Sequence, residues 1–115
     1  EAVSLQSVYA TLVDLAGLGV PAHVDGTSLR PLLEDPSSSW DEVAFTTAEF
    51  GSYAVQDDHF RYIRYLEGGE ELYDHRSDPN EWKNLANDPA FAQTLDAMRA
   101  KVPPFDQQAP PQVLE

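Results

Sequence analysis

Cysteine is absent from the 115 residues, which excludes disulfide bonds, thiolate metal sites and cysteine nucleophiles. Basic residues are scarce, because seven lysines and arginines stand against twenty aspartates and glutamates, and the net charge is −13. Binding to a phosphate backbone needs clustered basic side chains, so we expect no nucleic-acid partner. No apolar run approaches the ~20 residues that span a bilayer, so we expect no membrane partner either. The 42% hydrophobic content predicts a folded chain of about one domain.

The N-terminal segment has the apolar spacing of an amphipathic helix. Apolar residues recur every three or four positions, at Leu5, Val8, Tyr9, Leu12, Val13 and Ala16. Gly17, Gly19 and Pro21 then follow in the order typical of a helix end. Such a wide stripe must pack either on the core of this domain or on a larger body outside the chain. The residues after Pro21 are predicted to form a loop with at most one helical turn, within 28–33. The serines at 37–39 indicate a connector between subdomains.

From about residue 43 the pattern changes to that of β-strands. Runs rich in β-branched and aromatic residues cover about 43–49, 53–56, 60–66 and 71–74, and Glu67-Gly68-Gly69-Glu70 is a tight hairpin signal. This spacing predicts three or four short antiparallel strands. The run 60–66 carries bulky side chains on both faces, which predicts a central strand covered on both sides.

Two segments that begin with Asp-Pro follow the strands. Asp78-Pro79-Asn80-Glu81 combines a cap, a first-turn proline and a glutamate, which predicts one helical turn that carries Trp82 and Leu85. Asp88-Pro89 opens a longer helix to about residue 101, whose apolar face is Phe91, Leu95, Met98 and Val102. The proline- and glutamine-rich tail, 103–115, is predicted to be extended or disordered.

No complete catalytic constellation can be assembled from these residues. The three histidines lie far apart, none at metal-ligand spacing, and are interpreted as structural or exposed: His23, His59 and His75. Asp57, Asp58 and Asp74 could form an oxygen-rich cation site, although Asp57-Asp58 is better explained as a turn between strands. Trp40 and Trp82 are interpreted as core anchors. We therefore predict no catalytic residue and no metal ligand in this chain.

Two stretches of the sequence resemble the sulfatase family. The first is Thr-Leu-Val-Asp-Leu-Ala-Gly at 11–17 followed by Asp-Gly-Thr-Ser-Leu-Arg-Pro-Leu-Leu at 25–33. The second is Phe-Arg-Tyr-Ile-Arg-Tyr at 60–65, then Glu-Glu-Leu-Tyr-Asp-His at 70–75 and Asp-Pro-Asn-Glu-Trp-Lys-Asn-Leu-Ala at 78–86. The second stretch looks like the C-terminal subdomain of the iduronate-2-sulfatase-like branch. The resemblance runs over about 3–102.

The resemblance implies an α+β fold attached to a larger body. Residues 1–35 would be the last helix and loop of an α/β alkaline-phosphatase-like core. Residues 36–102 would be the C-terminal subdomain, a small antiparallel sheet of three to four strands packed with a C-terminal helix. Sulfatases also use a formylglycine, made within a Cys/Ser-x-Pro-x-Arg motif, beside a calcium ion. This chain has no such motif, so both groups are expected in the rest of the parent protein.

The resemblance also implies a function and its partners. We expect the C-terminal part of an enzyme that hydrolyses sulfate esters of sugars, with Tyr53, Gln56 and His59 available for substrate selection. Gln56 aligns with a position where relatives often carry a basic residue. Expected partners are the missing catalytic core, a sulfated carbohydrate and a second copy bound through the N-terminal helix. The sequence does not give the compartment, although relatives are commonly exported or lysosomal. The alternatives are a non-catalytic folding or interaction module, or part of a phosphodiesterase or phosphonate hydrolase.

Overall fold

A computed structural model describes residues 1–49 and 51–102, so the predicted tail at 103–115 lies outside the described residues. The backbone contacts divide the chain into two compact units, of which the first ends at Val43 and the second begins at Ala44. From the sequence we placed a boundary after residue 35, and its position in a complete protein stays a prediction. In the described part of the chain, no helix is both long and apolar enough to cross a bilayer.

The first unit, which we call the helical unit, contains α1 (Ser7–Leu15) and α2 (Arg30–Glu34). Polar contacts fix the loop between them onto α1. The Thr11 hydroxyl donates to the Ser7 carbonyl at 2.6 Å and accepts the Leu29 N–H at 2.9 Å, and Ser28 donates to the Asp14 carboxylate at 2.7 Å. The loop approaches closely at Gly26, where a Cβ would lie 2.1 Å from the Gln6 carbonyl oxygen.

The buried side of α1 is small and partly polar, and its apolar stripe is exposed. The buried residues of the helix are Ser7, Ala10 and Thr11. In contrast, Leu5 is 89% exposed and Leu12 is 61% exposed, and Val8, Tyr9 and Leu15 are exposed as well. The predicted stripe is therefore not the core of the helical unit, and it is open to a larger body outside the chain or to a second copy.

The second unit, which we call the sheet unit, contains a four-stranded antiparallel sheet of order β1-β2-β3-β4. The strands are β1 (Ala44–Glu49), β2 (Ser52–Gln56), β3 (Phe60–Arg64) and β4 (Glu70–Asp74). The predicted number of strands, their antiparallel order and the central position of the third run are confirmed. The helix predicted after Asp88 is also confirmed, as a 3₁₀ turn (Pro89–Phe91) followed by α3 (Ala92–Ala100), with the Asp88 carboxylate accepting the Ala90 N–H at 3.0 Å.

One face of the sheet, the helix face, holds the core. Val55 pairs with Tyr62 and Tyr62 pairs with Leu72, and all three side chains are fully buried. Leu95 and Met98 of α3 are buried too, as their spacing predicts. Val55, Tyr62 and Leu72 share one face, because paired residues lie on the same side of a sheet. The contacts between α3 and β3 place the helix over this side.

The opposite face, the open face, has no helix of the sheet unit over it among the described residues. Its members are Ala44, Thr46, Ala54, Gln56, Arg61, Ile63, Glu71 and Tyr73. Only Tyr73 is buried, whereas Arg61 and Ile63 are half-buried. The central strand is thus sealed on its helix face and half-covered on its open face, and the prediction that it is covered on both sides is met only in part by this chain.

The segment 78–86 does not form the predicted helical turn. Glu81 has a φ of +57°, a left-handed conformation that ends helical geometry. The Asp78 carboxylate instead accepts the Lys83 N–H at 2.8 Å, and the Leu85 N–H donates to the Leu72 carbonyl at 2.8 Å, along the edge of the sheet. Leu85 is buried as predicted, but Trp82 is 85% exposed, so its assignment to the core is wrong.

Candidate functional site

The three predicted substrate-selecting residues do not share one face of the sheet. Tyr53 is buried on the helix face, where its hydroxyl accepts the Gly51 N–H at 3.0 Å and its ring stacks on Phe45 with centroids 5.5 Å apart. Gln56 is half-buried on the open face, beside its cross-strand partner Arg61. His59 is exposed in the bend between β2 and β3. Gln56 and His59 are thus the accessible pair, and Tyr53 acts as a packing residue in this chain.

The carboxylates that could have formed a cation site are engaged separately. Asp57 accepts the N–H groups of His59 and Phe60 at 3.0 and 2.8 Å, which confirms the predicted turn. Burial opposes ionisation of Asp57, but its bonds to Lys101 and to the backbone outweigh burial and lower its pKa. Arg76 holds the pKa of Asp74 below its usual value. Within residues 1–49 and 51–102, no group of three or more histidine, aspartate or glutamate side chains is placed to hold a metal ion.

A polar cluster that the sequence did not reveal lies at Arg61 on the open face. The Glu81 carboxylate contacts Arg61 Nη1 at 3.2 and 3.3 Å and His75 Nε2 at 2.7 Å. We call these three residues the Glu81 clamp. Its side chains are 24–37% exposed, so the clamp is half-sheltered from solvent. No local pattern could have found the clamp, because Arg61 and Glu81 are twenty positions apart.

Tyr73 extends this polar surface along β4. Its hydroxyl donates to the Glu71 carboxylate at 2.9 Å, two residues earlier on the same strand and therefore on the same face. Burial raises the pKa of Tyr73 to about 12, and the neighbouring carboxylates of Glu71 and Glu81 add to the effect. Tyr73 is thus a neutral hydrogen-bond donor at any ordinary pH, not a base.

A second network fixes α3 to the edge of the sheet on the helix face. The Tyr62 hydroxyl donates to Glu70 Oε1 at 2.5 Å, and Arg99 Nε donates to the same oxygen at 2.7 Å. Arg99 also donates to Asp96, one turn earlier on α3, at 2.7 Å. The bond from Arg99 is the main reason that the pKa of Glu70 falls to about 2. Burial, with Glu70 beside it, raises the pKa of Tyr62 to about 12. This network stabilises the fold and contains no unbound nucleophile.

The family of the chain follows from its comparison with known proteins. The model of the N-sulphoglucosamine sulphohydrolase C-terminal domain matches residues 2–108. The chain belongs to the sulfatase family. A sulfatase from Formosa agariphila is 40% identical over 101 residues, which cover 88% of this chain and 20% of the relative. The Delta 4,5-hexuronate-2-O-sulfatase of Bacteroides thetaiotaomicron is 42% identical over 101 residues, covering 78% of this chain and 21% of that protein.

Solved structures show the same domain within larger proteins. A 2-O GAG sulfatase superimposes with a TM-score of 0.67 at 38% identity, covering 82% of this chain and 22% of the other. A phosphonate monoester hydrolase from Agrobacterium radiobacter gives a TM-score of 0.62 at 28% identity, covering 83% and 23%. The chain thus spans about a fifth of the length of these relatives. It is a C-terminal sulfatase domain, and the predicted α+β fold is confirmed.

Proposed function

We propose that this chain is the C-terminal part of an enzyme that hydrolyses sulfate esters of sugars, and that it supports the catalytic core without supplying the nucleophile. The observation that carries the proposal is the match of residues 2–108 to a sulfatase C-terminal domain. The sequence has no cysteine and no Ser-x-Pro-x-Arg motif from which formylglycine could form. Formylglycine and calcium would therefore both come from the rest of the protein, since the described residues hold no candidate metal cluster.

The supporting role is assigned mainly to the helical unit. Its α1 and the turn before it expose an apolar stripe that includes Leu5, Val8 and Leu12, and bare patches of several hundred Å² rarely persist on monomeric proteins. The catalytic core is the proposed cover, because it would make up the four-fifths of the relatives' length that this chain does not span. The other possible cover is the stripe of a second copy. Sedimentation of the complete protein separates the two, since a dimer that dissociates on Leu12→Asp substitution would favour the second copy.

Gln56 is the residue of this chain that we propose for substrate selection. It is accessible on the open face, and the relative named a hexuronate-2-O-sulfatase acts on an anionic sugar. A glutamine amide can donate a hydrogen bond but supplies no charge. The substrate would therefore be less anionic than that of a relative with a basic residue at this position. Gln56→Arg should raise turnover of sulfated uronates relative to neutral sulfated sugars. Gln93→Arg, on the exposed surface of α3, is the matched control. Identical preferences in both variants and the parent would contradict this role.

The activity itself is tested with the complete protein that contains this chain. An aryl sulfate, a sulfated uronate disaccharide and an aryl phosphonate monoester would be offered in parallel, and sulfate or phosphonate release measured. The likeness to a phosphonate monoester hydrolase makes phosphonate cleavage the second candidate. Sulfate release that is lost when the formylglycine precursor is replaced by alanine supports the proposal. Preferential cleavage of the phosphonate, or no release from any ester, would overturn it.

A further inference from the structure

Trp82 is displayed on the surface by a backbone that the Glu81 clamp holds in an uncommon conformation. Glu81 has a φ of +57°, which non-glycine residues rarely adopt unless their surroundings impose it. Here the imposing contacts are visible, because Arg61 and His75 both bind the Glu81 carboxylate. The next residue is Trp82, and its backbone is further fixed by the Asp78 carboxylate, which accepts from the N–H of Lys83. The tryptophan thus stands on a fixed support.

The exposure of this tryptophan is unusual for its type. Trp82 is 85% exposed, whereas Tyr62 and Leu72 of the same unit are fully buried. Tryptophan is the largest apolar side chain and among the residues most enriched at the centres of protein interfaces. A rigid support lowers the entropy lost on binding, which is a property of preorganised contact residues. Exposure on a fixed backbone therefore indicates a contact with something outside this chain.

The clamp beside Trp82 borders the open face, which carries Gln56 and is left out of this contact. Arg61 belongs both to the clamp and to the open face. Trp82 offers apolar surface, whereas covering the polar groups of the clamp would carry a desolvation cost, so the contact is expected at Trp82 and not over the clamp. A free sugar would call instead for unpaired donors, and Arg61 and His75 are already bound to Glu81. The observations thus favour a protein surface over a carbohydrate.

We propose that Trp82 is a docking residue of the sheet unit for the catalytic core of the same protein, inserted in an apolar pocket of that core. This inference rests on the proposed function, which supplies the core. The core is the expected occupant because the sequence and structure comparisons place this domain in proteins about five times its length. Trp82 adds an anchor in the sheet unit to the one formed by the α1 stripe.

Hydroxyl-radical footprinting tests the proposal without any substitution. Trypsin cleaves after Arg76 and Lys83, so Trp82 is the single tryptophan of the peptide 77–83. Its oxidation would be measured by mass spectrometry in the complete protein and in the isolated 115-residue chain. Insertion in a pocket should slow oxidation of Trp82 by about tenfold in the complete protein, as expected for a desolvated interface centre. Phe91, half-buried beside Phe60 and located in the peptide 84–99, serves as the reference residue.

Equal oxidation rates of Trp82 in the two proteins would overturn the proposal, and so would either of two other results. Protection that appears in the isolated chain as its concentration rises would assign the Trp82 contact to a second copy. Protection of the isolated chain by a sulfated disaccharide would assign it to substrate.

A stability comparison gives a second, independent readout. Trp82→Ala should lower the melting temperature of the complete protein by about 3 °C or more and leave that of the isolated chain unchanged. Lys83→Ala, the exposed neighbour, is the matched control and should change neither. A complete protein with Trp82→Ala that releases sulfate and keeps the unsubstituted melting temperature would overturn the docking inference and leave the proposed activity standing. An unsubstituted complete protein that releases no sulfate, but in which Trp82 is protected from oxidation, would overturn the proposed activity and support the docking contact.

Discussion

The Glu70 carboxylate should make the stability of the sheet unit depend on pH in the acid range. The pKa of Glu70 is about 2 in the folded chain, against an ordinary value of 4.5, chiefly because Arg99 donates to it. Since folding lowers this pKa, the stabilisation is fully present above pH 4.5 and is lost as the pH falls from there towards 2. Below that range the carboxyl is protonated in both states, and the ion pair with Arg99 contributes nothing.

The size of the effect follows from the shift and from the exposure of the partners. A pKa difference of this size would correspond to about 3 kcal/mol if solvent did not intervene. However, the Arg99 side chain is 44% exposed and that of Glu70 is 24% exposed, so water screens the pair considerably. Exposed ion pairs contribute about 1 kcal/mol or less. We therefore expect Glu70→Gln to lower the free energy of unfolding by about 1 kcal/mol at pH 7, since glutamine can still accept from the Tyr62 hydroxyl.

Urea denaturation of the parent chain and of Glu70→Gln at several pH values between 7 and 2.5 measures this contribution. Far-UV circular dichroism is the suitable signal, because Trp82 is exposed and would report poorly on the core. Glu67→Gln, which removes one exposed carboxylate from the β3–β4 hairpin, is the matched control. The difference between Glu70→Gln and the parent should shrink as the pH falls below 4.5. A difference that stays constant with pH, or equals that of the control, would refute the reasoning.

Three further substitutions test the packing of the sheet unit by urea denaturation at pH 7. Leu72→Ala, at a fully buried position, should cost ~2–5 kcal/mol, and a loss below 1 kcal/mol would contradict its place in the core. Asn84→Ala should cost about 2 kcal/mol, because its side chain accepts the Leu72 N–H at 3.0 Å and donates to the edge strand at 3.1 Å. Gly51→Ala, where a Cβ would lie 2.4 Å from Leu66 Cδ1, should destabilise the chain more than Gly68→Ala. Both glycines have positive φ but only Gly51 is crowded, so equal losses would contradict the close approach.

The elements predicted correctly are those whose signals are local. The four strands follow from alternating bulky residues and from the Gly68-Gly69 hairpin, and α3 follows from the Asp88 cap and the spacing of Leu95 and Met98. In these segments, propensity, pattern and tertiary packing agree.

The features that were missed depend on contacts between distant residues. The sequence around Asp78-Pro79 carries a good helix-start signal, yet Glu81 binds Arg61 and His75 and takes a left-handed conformation instead. A local pattern contains no information about Arg61, which lies on another strand. Trp82 was assigned to the core because tryptophan is usually buried, a preference that does not account for surfaces covered by other parts of a larger protein.

The candidate site was only partly predictable for the same reason. Side chains alternate between the two faces along β2, so the strand pattern already implied that Tyr53 and Gln56 lie on opposite faces. The sequence did not show which of the two faces α3 would cover. The Glu81 clamp is assembled from one strand position, Arg61, and two loop positions, His75 and Glu81, and only the fold brings them together.

Hydrogen exchange in α1 tests most directly whether this chain is the supporting part of a larger sulfatase. The amides of residues 11–15 would be followed in the isolated chain and in the complete protein, because the stripe on this helix is bare in the chain alone. If the catalytic core covers the stripe, these amides should exchange at least about a hundredfold more slowly in the complete protein, since exchange then requires the core to open. Equal exchange rates in the two proteins would contradict the account.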